Sequence, residues 1–223
     1  MQQNIAIDGP AGAGKSTIAR RLAARLGFIY VDTGAMYRAM ALFLMRNKIA
    51  PDDVPAITRA CEEADITLDY EDGEQKVILN GENVNAFIRT EEVSKMTSDS
   101  SKQPVIREKM VALQKKLAAE KNVVMDGRDI GTTVLPDAFL KIYMTADSRE
   151  RARRRYEEQR QKGIACDLDA IEKDIISRDA QDMNRETSPL RKAEDAILLD
   201  TTTLGIEEVV TEMLRLFAQR KAD

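Results

Sequence analysis

Gly9-Pro10-Ala11-Gly12-Ala13-Gly14-Lys15-Ser16-Thr17 is a complete G-x-x-x-x-G-K-[ST] loop, and what flanks it decides the fold. The apolar run Asn4-Ile5-Ala6-Ile7-Asp8 enters it as a buried strand would. Ile18, Leu22 and Leu26 leave it at helical spacing, so the loop lies where a strand turns into a helix. Glycines let the backbone curl so that successive N–H groups face phosphate oxygens, and the helix N-terminus adds a positive dipole end. In such a loop Lys15 is expected to reach the β- and γ-phosphates of a nucleoside triphosphate, and the Ser16 hydroxyl to ligate Mg²⁺. Residues 9–17 as a whole are the expected triphosphate cradle.

Composition narrows the chemistry. With 223 residues the chain can bury one substantial core and a small inserted lobe. The formal charge of −4 gives no basic footprint for nucleic acid or a membrane surface. No apolar stretch approaches a membrane span, and no signal-peptide pattern opens the chain. Two isolated cysteines, Cys61 and Cys166, suit a reducing cytoplasm. There is no histidine. Imidazole bases, His-dependent triads and His-metal sites are therefore excluded, and chemistry must rest on Lys, Arg, Asp, Ser and a metal ion, as phosphoryl transfer does.

Beyond the loop, strands are expected at 28–31, 123–126, 140–145 and 196–199, all read as buried. Helices are expected at 15–26, 35–46 and, as an amphipathic closing helix, 205–222. Strands separated by helices argue for a parallel sheet covered on both faces. Ile66-Thr67-Leu68-Asp69-Tyr70 breaks this rhythm with period-two alternation. A turn at 71–74, a return over 76–79 and a second turn at 80–83 make an antiparallel meander. The organisation expected is a core of 1–35, 106–148 and 164–223, an inserted lobe of about 36–105, and a lid of about 149–163.

Asp147-Ser148 caps a helix carrying Arg149, Arg151, Arg153, Arg154, Arg155 and Arg160. Interspersed Glu150, Glu157 and Glu158 allow an ordinary solvated helix. As a cluster the arginines suit a lid whose guanidinium groups clamp phosphates and exclude water, with Arg151 and Arg154 as the candidate contacts. Three further constellations carry charge. Asp32-Thr33-Gly34-Ala35-Met36-Tyr37-Arg38 opens a helix, where an anion is favoured and Arg38 can reach it. Asp126-Gly127-Arg128-Asp129 ends a parallel strand, the ligand-binding edge of open α/β sheets. Arg178, Asp182 and Arg185 fall on one helix, either as surface ion pairs or as ligand contacts. No N-K-x-D or D-x-x-G marks a GTPase, so a kinase for a small phosphorylated acceptor is expected.

These stretches, with Ile88-Arg89-Thr90-Glu91-Glu92-Val93, Val124 to Thr132 and Ser188-Pro189-Leu190-Arg191, resemble the type I family of bacterial cytidylate kinases over essentially the whole chain. The resemblance implies a P-loop nucleoside-monophosphate-kinase fold, α/β with a five-stranded parallel sheet, an acceptor-binding lobe with a small antiparallel sheet, and an arginine-rich lid. It implies phosphoryl transfer from ATP, with Mg²⁺, to CMP or dCMP, by a cytoplasmic monomer that binds neither nucleic acid nor membrane. It places Thr33, Tyr37, Arg38 and Arg128 near the acceptor phosphate. It places Ser98, Arg107 and Asp129 at cytosine, Arg178 and Asp182 at the pentose, and Arg185 at a further acceptor contact. Lys15, Arg128, Arg151 and Arg154 are the expected catalytic group. UMP kinase activity, another small acceptor and a nucleotide-dependent switch without transfer remain open alternatives.

Overall fold

A computed structural model describes residues 2–71 and 74–222, in two compact units: residues up to Tyr30 together with those from Lys121 onward, and Val31–Glu120. The elements of the first stretch are β1 (Ile5–Asp8), α1 (Lys15–Leu26) and β2 (Ile29–Asp32), within which the chain passes from one unit to the other. Then come α2 (Thr33–Arg46), α3 (Val54–Glu63), β3 (Ile66–Glu71), β4 (Glu74–Leu79), β5 (Glu82–Asn83), α4 (Glu91–Ser100) and α5 (Pro104–Glu120). The chain continues with β6 (Val123–Gly127), a π-helical turn at Ile130–Val134, β7 (Leu140–Thr145), α6 (Ser148–Gln161), α7 (Leu168–Asn184), β8 (Ile197–Asp200) and α8 (Ile206–Ala222).

The main sheet has the order β2-β6-β1-β7-β8, with β6 and β7 each parallel to β1 and β8 parallel to β7. β1 sits at the centre, and all four of its residues are buried. A central parallel strand is covered on both faces, and this accounts for the apolar run Ile5-Ala6-Ile7 before Asp8. Ile5, Ile7, Val124, Ile142 and Met144 from the strands pack with Ile18 and Leu22 of α1 and with Val210, Met213 and Phe217 of α8. Phe217 meets Phe28 and Phe139 edge-on, with ring centroids 5.7 and 5.2 Å away.

β8 departs from the expectation of a buried strand: Ile197 and Leu198 are exposed. It lies at a sheet edge, and of its residues only Leu199 packs against the core of the first unit. It has a hydrogen-bonding neighbour on one side only, and the period-two or apolar character of four residues does not say which position in the sheet they take.

In the second unit α2 is buried nearly all round, from Met36 and Ala39 to Leu42, Phe43 and Leu44. It packs with α3, α4, α5 and the hairpin strand β4, so no polar face is needed. β3, β4 and β5 form the antiparallel meander, with Ile66 opposite Leu79 and Ile78 opposite Asn83. Of the first expected turn, Asp72 and Gly73 lie outside the described residues. The second is tighter than the sequence suggested. Asn80 and Gly81, with φ of 49° and 84°, make a two-residue hairpin turn, and Glu82–Asn83 already belongs to the third strand. Among the described residues no helix is long and apolar enough to cross a membrane.

Candidate functional site

In the first unit, β1 delivers the chain to Gly9, whose φ is 149° and where a Cβ would stand 1.9 Å from the Met144 carbonyl oxygen. Only a residue without a Cβ fits so close to β7. The loop then enters α1 at Gly14, in the left-handed conformation, and the free N–H groups of the first turn face its hollow. Lys15 is buried, and its Nζ donates to the Pro10 carbonyl at 2.6 Å. Burial and the neighbouring Arg128 charge lower its pKa to about 7, against the opposing pull of Asp126, Asp8 and Asp182.

The Ser16 hydroxyl donates to Asp126 Oδ2 at 2.9 Å, and Tyr30 donates to Oδ1 at 2.9 Å. Asp126 stands one residue before the end of β6, which lies beside β1, so strand pairing itself brings this carboxylate to the loop. Asp8, the last residue of β1, accepts from the amides of Ile130 and Gly131 at 2.8 and 2.7 Å. Burial raises its pKa to about 6, although those two amides favour the carboxylate. It thereby fixes the turn that follows Asp129.

Arg128 donates through Nε to Asp182 Oδ2 at 2.9 Å, and Arg185 stands 3.5 Å from Asp182 Oδ1 and 3.7 Å from Asp129. Burial pushes the Asp182 carboxyl up. The Arg128 charge and hydrogen bond and the Arg185 and Arg178 charges outweigh it and hold the group below the usual carboxylate value. Asp182 therefore has Arg128 as its close partner and is no part of an exposed ion pair along α7. Arg185 lies just past the end of that helix, with extended backbone, and its Nε donates to the Ser188 carbonyl.

The arginines of α6 divide. Arg149, Arg153 and Arg155 form solvent-exposed pairs with Asp169 and Glu172, with Glu150 and Glu157, and with Asp174. Such pairs contribute little. Arg154 faces the loop: its Nη1 lies 4.0 Å from where a Gly14 Cβ would be, and its other contacts are Glu150 and Thr201. Arg151, expected as a phosphate contact of the lid, is buried, with its guanidinium on Asp179, Ala11 and Ala146. Spacing along a helix counts arginines but does not say which face meets the loop.

In the second unit Asp32 caps α2, accepting from the Ala35 amide at 2.9 Å, and its carboxylate holds both Arg38 at 3.1 Å and Arg89 at 3.3 Å. The Gln75 side chain of β4 accepts from the Asp32 amide at 2.8 Å, tying the meander to this corner. Thr33 is buried as the first residue of α2. One turn on, the Tyr37 ring lies under the Arg107 guanidinium, 5.4 Å from its centroid. Arg107 on α5 is buried and donates to the Ser101 carbonyl, and Ser98 stands on α4, which packs against α2. Within this unit Thr33, Tyr37 and Arg38 stand on α2, and Ser98 and Arg107 on the two helices α4 and α5 that pack against it. Arg89, Asp8, Tyr30, Gln75 and Asp179 are not among the expected site residues; Arg89 and Asp8 lie within quoted stretches, and nothing local marks the other three.

Comparison with known proteins bears on the chain as a whole. A family model described as Cytidylate kinase matches residues 5–219. A protein named Cytidylate kinase from Caldicellulosiruptor bescii is 53% identical over 96% of this chain and 95% of its own. One from Carboxydothermus hydrogenoformans is 49% identical over 97% of each chain. Among solved structures, an uncharacterized protein from Eubacterium ventriosum shares the fold, with a TM-score of 0.53 at 13% identity over 98% of this chain and 99% of that one.

Proposed function

Since the chain belongs to the cytidylate kinase family and transfers a phosphoryl group from ATP to CMP or dCMP, we propose how its residues divide that work. The observation that carries the assignment is the convergence, within the first unit, of Lys15, the Ser16–Asp126 hydrogen bond, Arg154 and the Arg128–Asp182 pair around the glycine loop.

An oxygen of the CMP phosphate attacks the γ-phosphorus of ATP in line, and the bond from that phosphorus to the β–γ bridging oxygen breaks, leaving ADP. No covalent enzyme intermediate is needed. Charge spreads over the equatorial oxygens, so the protein's task is positioning and electrostatic stabilisation. The amides of residues 9–17 and Lys15 hold the triphosphate, while Arg154 and Arg128 stand ready for the developing charge. A hydroxyl beside a carboxylate, Ser16 with Asp126, is a hard-oxygen donor set suited to Mg²⁺. These two would hold the ion, which when bound offsets the charge of the phosphates.

For the acceptor, Arg128 in the first unit and Thr33, Tyr37 and Arg38 in the second are assigned to its phosphate. Arg178 and Asp182 are assigned to the pentose and Arg185 to a further contact. Asp129, Arg107 and Ser98 are assigned to the base. Cytosine presents an N4 amino donor beside N3 and O2 acceptors, whereas uracil presents O4 and N3–H. A carboxylate at N4 attracts cytosine and repels uracil, and a guanidinium at N3 or O2 tests the same difference again. Segment 149–163 serves as lid, segment 36–105 as acceptor lobe, and pyrimidine-nucleotide metabolism in the cytoplasm is the setting.

A coupled assay for ADP with CMP, dCMP, UMP, AMP and GMP tests this reading. CMP and dCMP are expected to be good acceptors, UMP poor and the purine nucleotides inactive. A mismatched buried polar group costs about 1–3 kcal/mol, so Asp129→Ala should lower kcat/KM for CMP by ~10- to 100-fold while leaving UMP nearly unchanged. Equal losses with both nucleotides would remove Asp129 from base selection.

A further inference from the structure

Asp179 lies on α7 one residue after Arg178 and three before Asp182, yet it is buried and turned to a different task. Its Oδ1 accepts from the Ala11 amide at 3.0 Å, and its Oδ2 accepts from Arg151 Nη1 at 2.5 Å. The same Nη1 donates to the Ala11 carbonyl at 2.9 Å, and Arg151 Nε donates to the Ala146 carbonyl at 2.9 Å. Both side chains are more than nine-tenths buried. Next along the loop, a Cβ on Gly12 would lie 3.2 Å from Arg151 Cβ and 3.5 Å from Ile175 Cδ1. The apex of the glycine loop therefore rests directly on α6 and α7.

The N–H of Ala11 belongs to the Pro10–Ala11 peptide plane, and its C=O to the Ala11–Gly12 plane. Each plane turns as a unit, and in a trans peptide the N–H points opposite to the C=O. Holding the Ala11 C=O toward Arg151 consequently fixes the direction of the Gly12 N–H, and Asp179 fixes the plane before it. A loop rich in glycine has the freedom to turn these planes, so an external grip is needed to keep its amides aligned.

We propose that Arg151 and Asp179 form a positioning pair that sets the peptide planes at Ala11 for binding ATP, with Arg151 acting through the loop backbone and not on a phosphate. The proposal rests on the loop being the ATP site. It assigns the pair to the donor alone, although Asp179 stands between two residues assigned to the acceptor.

The test measures equilibrium binding of Mg·ATP, read with a fluorescent ATP analogue, and of CMP to the nucleotide-free enzyme, together with steady-state KM and kcat. Asp179→Asn and Arg151→Lys should each weaken ATP binding and raise its KM by about 10-fold or more, the effect of losing a charge-assisted hydrogen bond. The CMP dissociation constant should stay within about 2-fold. Because the two residues act as one unit, the double variant should bind ATP little worse than the weaker single variant. Melting curves identify folded variants; if Asp179→Asn does not fold, Arg151→Lys and Asp179→Glu carry the same comparison. Wild-type ATP affinity in both folded variants with a fall in kcat confined to Arg151→Lys would mean that Arg151 touches the transferring phosphate, and would overturn the pairing. An equal loss of CMP affinity would overturn it by making Asp179 an acceptor or general fold residue. Lys15→Ala is the control for the underlying reading: if it leaves ATP binding intact, the loop assignment fails. If it abolishes binding while the pair variants do not, only the present proposal fails.

Discussion

Lys15, proposed to hold the triphosphate, is at the same time costly to the fold. Its ammonium is buried near Arg128, and both effects favour the neutral amine, lowering its pKa from 10.5 to about 7. Between those pH values the unfolded chain binds a proton that the native chain has released. Stability of the nucleotide-free protein therefore rises with pH over this window, by at most about 1.4 kcal/mol per pH unit. Below pH 7 the buried charge imposes its full penalty. Lys15→Met should accordingly be more stable than the wild type at pH 6 to 7 in urea titrations, with the difference shrinking toward pH 10. Identical dependence of the two proteins on pH would disprove the buried-charge account. The same variant should lose ~10²–10³ in kcat, because the ammonium meets charge that develops in the transition state. Asp8 runs the other way. Its pKa is raised to about 6, so its contribution falls as pH climbs from the ordinary carboxylate range through 6.

At the scale of an element, α7 does several things with neighbouring residues. Ile171 and Ile175 pack on Ala152 of α6, Asp179 meets the loop, and Asp182 faces Arg128. This distribution follows from 3.6 residues per turn: positions 175, 178, 179 and 182 fall on one side of the helix, within about 100° of arc, with 178 and 179 at its two margins. A ribose 3′-hydroxyl is present in both CMP and dCMP, the 2′-hydroxyl in CMP alone. Asp182→Ala should raise KM for both if the carboxylate binds the 3′-hydroxyl, and raise it for CMP selectively if it binds the 2′-hydroxyl. Each outcome is read from paired kinetics with the two nucleotides. Because the variant also leaves Arg128 without its close carboxylate, kcat should fall with either sugar. Unchanged kinetics with both would return Asp182 to a structural role.

At the scale of the whole molecule, the sheet edge at β8 is the feature that bears on assembly. It is a strand of four residues with Ile197 and Leu198 exposed. A strand this short, ending at Asp200, whose carboxylate accepts from Thr202, offers little length for pairing with another copy. A monomer is the state expected of the chain. Sedimentation equilibrium should return a mass close to the 25.0 kDa of one chain across the micromolar range. A concentration-dependent doubling that Leu198→Lys abolishes would show that the edge associates.

What the sequence determined by itself was whatever depends on neighbours along the chain. The strand–loop–helix around Gly9 to Thr17 was legible because period, glycine spacing and the Lys-Ser pair are local. The spans of β7 and α1 and the closing helix are local in the same sense, whereas the helices Val54–Glu63, Glu91–Ser100 and Pro104–Glu120 were not among those expected. Resemblance of whole motifs then carried the acceptor chemistry, which composition alone could not name. Tertiary structure decided what depends on residues far apart in the chain. Ser16 and Asp126 are 110 positions apart and meet because β6 pairs with β1; Ala11 and Asp179 are 168 apart and meet because α7 folds back on the loop. It likewise decided that β8 is an edge, that Arg128 and not a helical neighbour is the close partner of Asp182, and that Arg151 is buried while Arg153 is solvated. A chain pattern fixes which side chains share a helix face. Only packing fixes what that face meets, and for ionisable groups the surrounding burial and charge decide whether they brace the fold or stand ready for a phosphate.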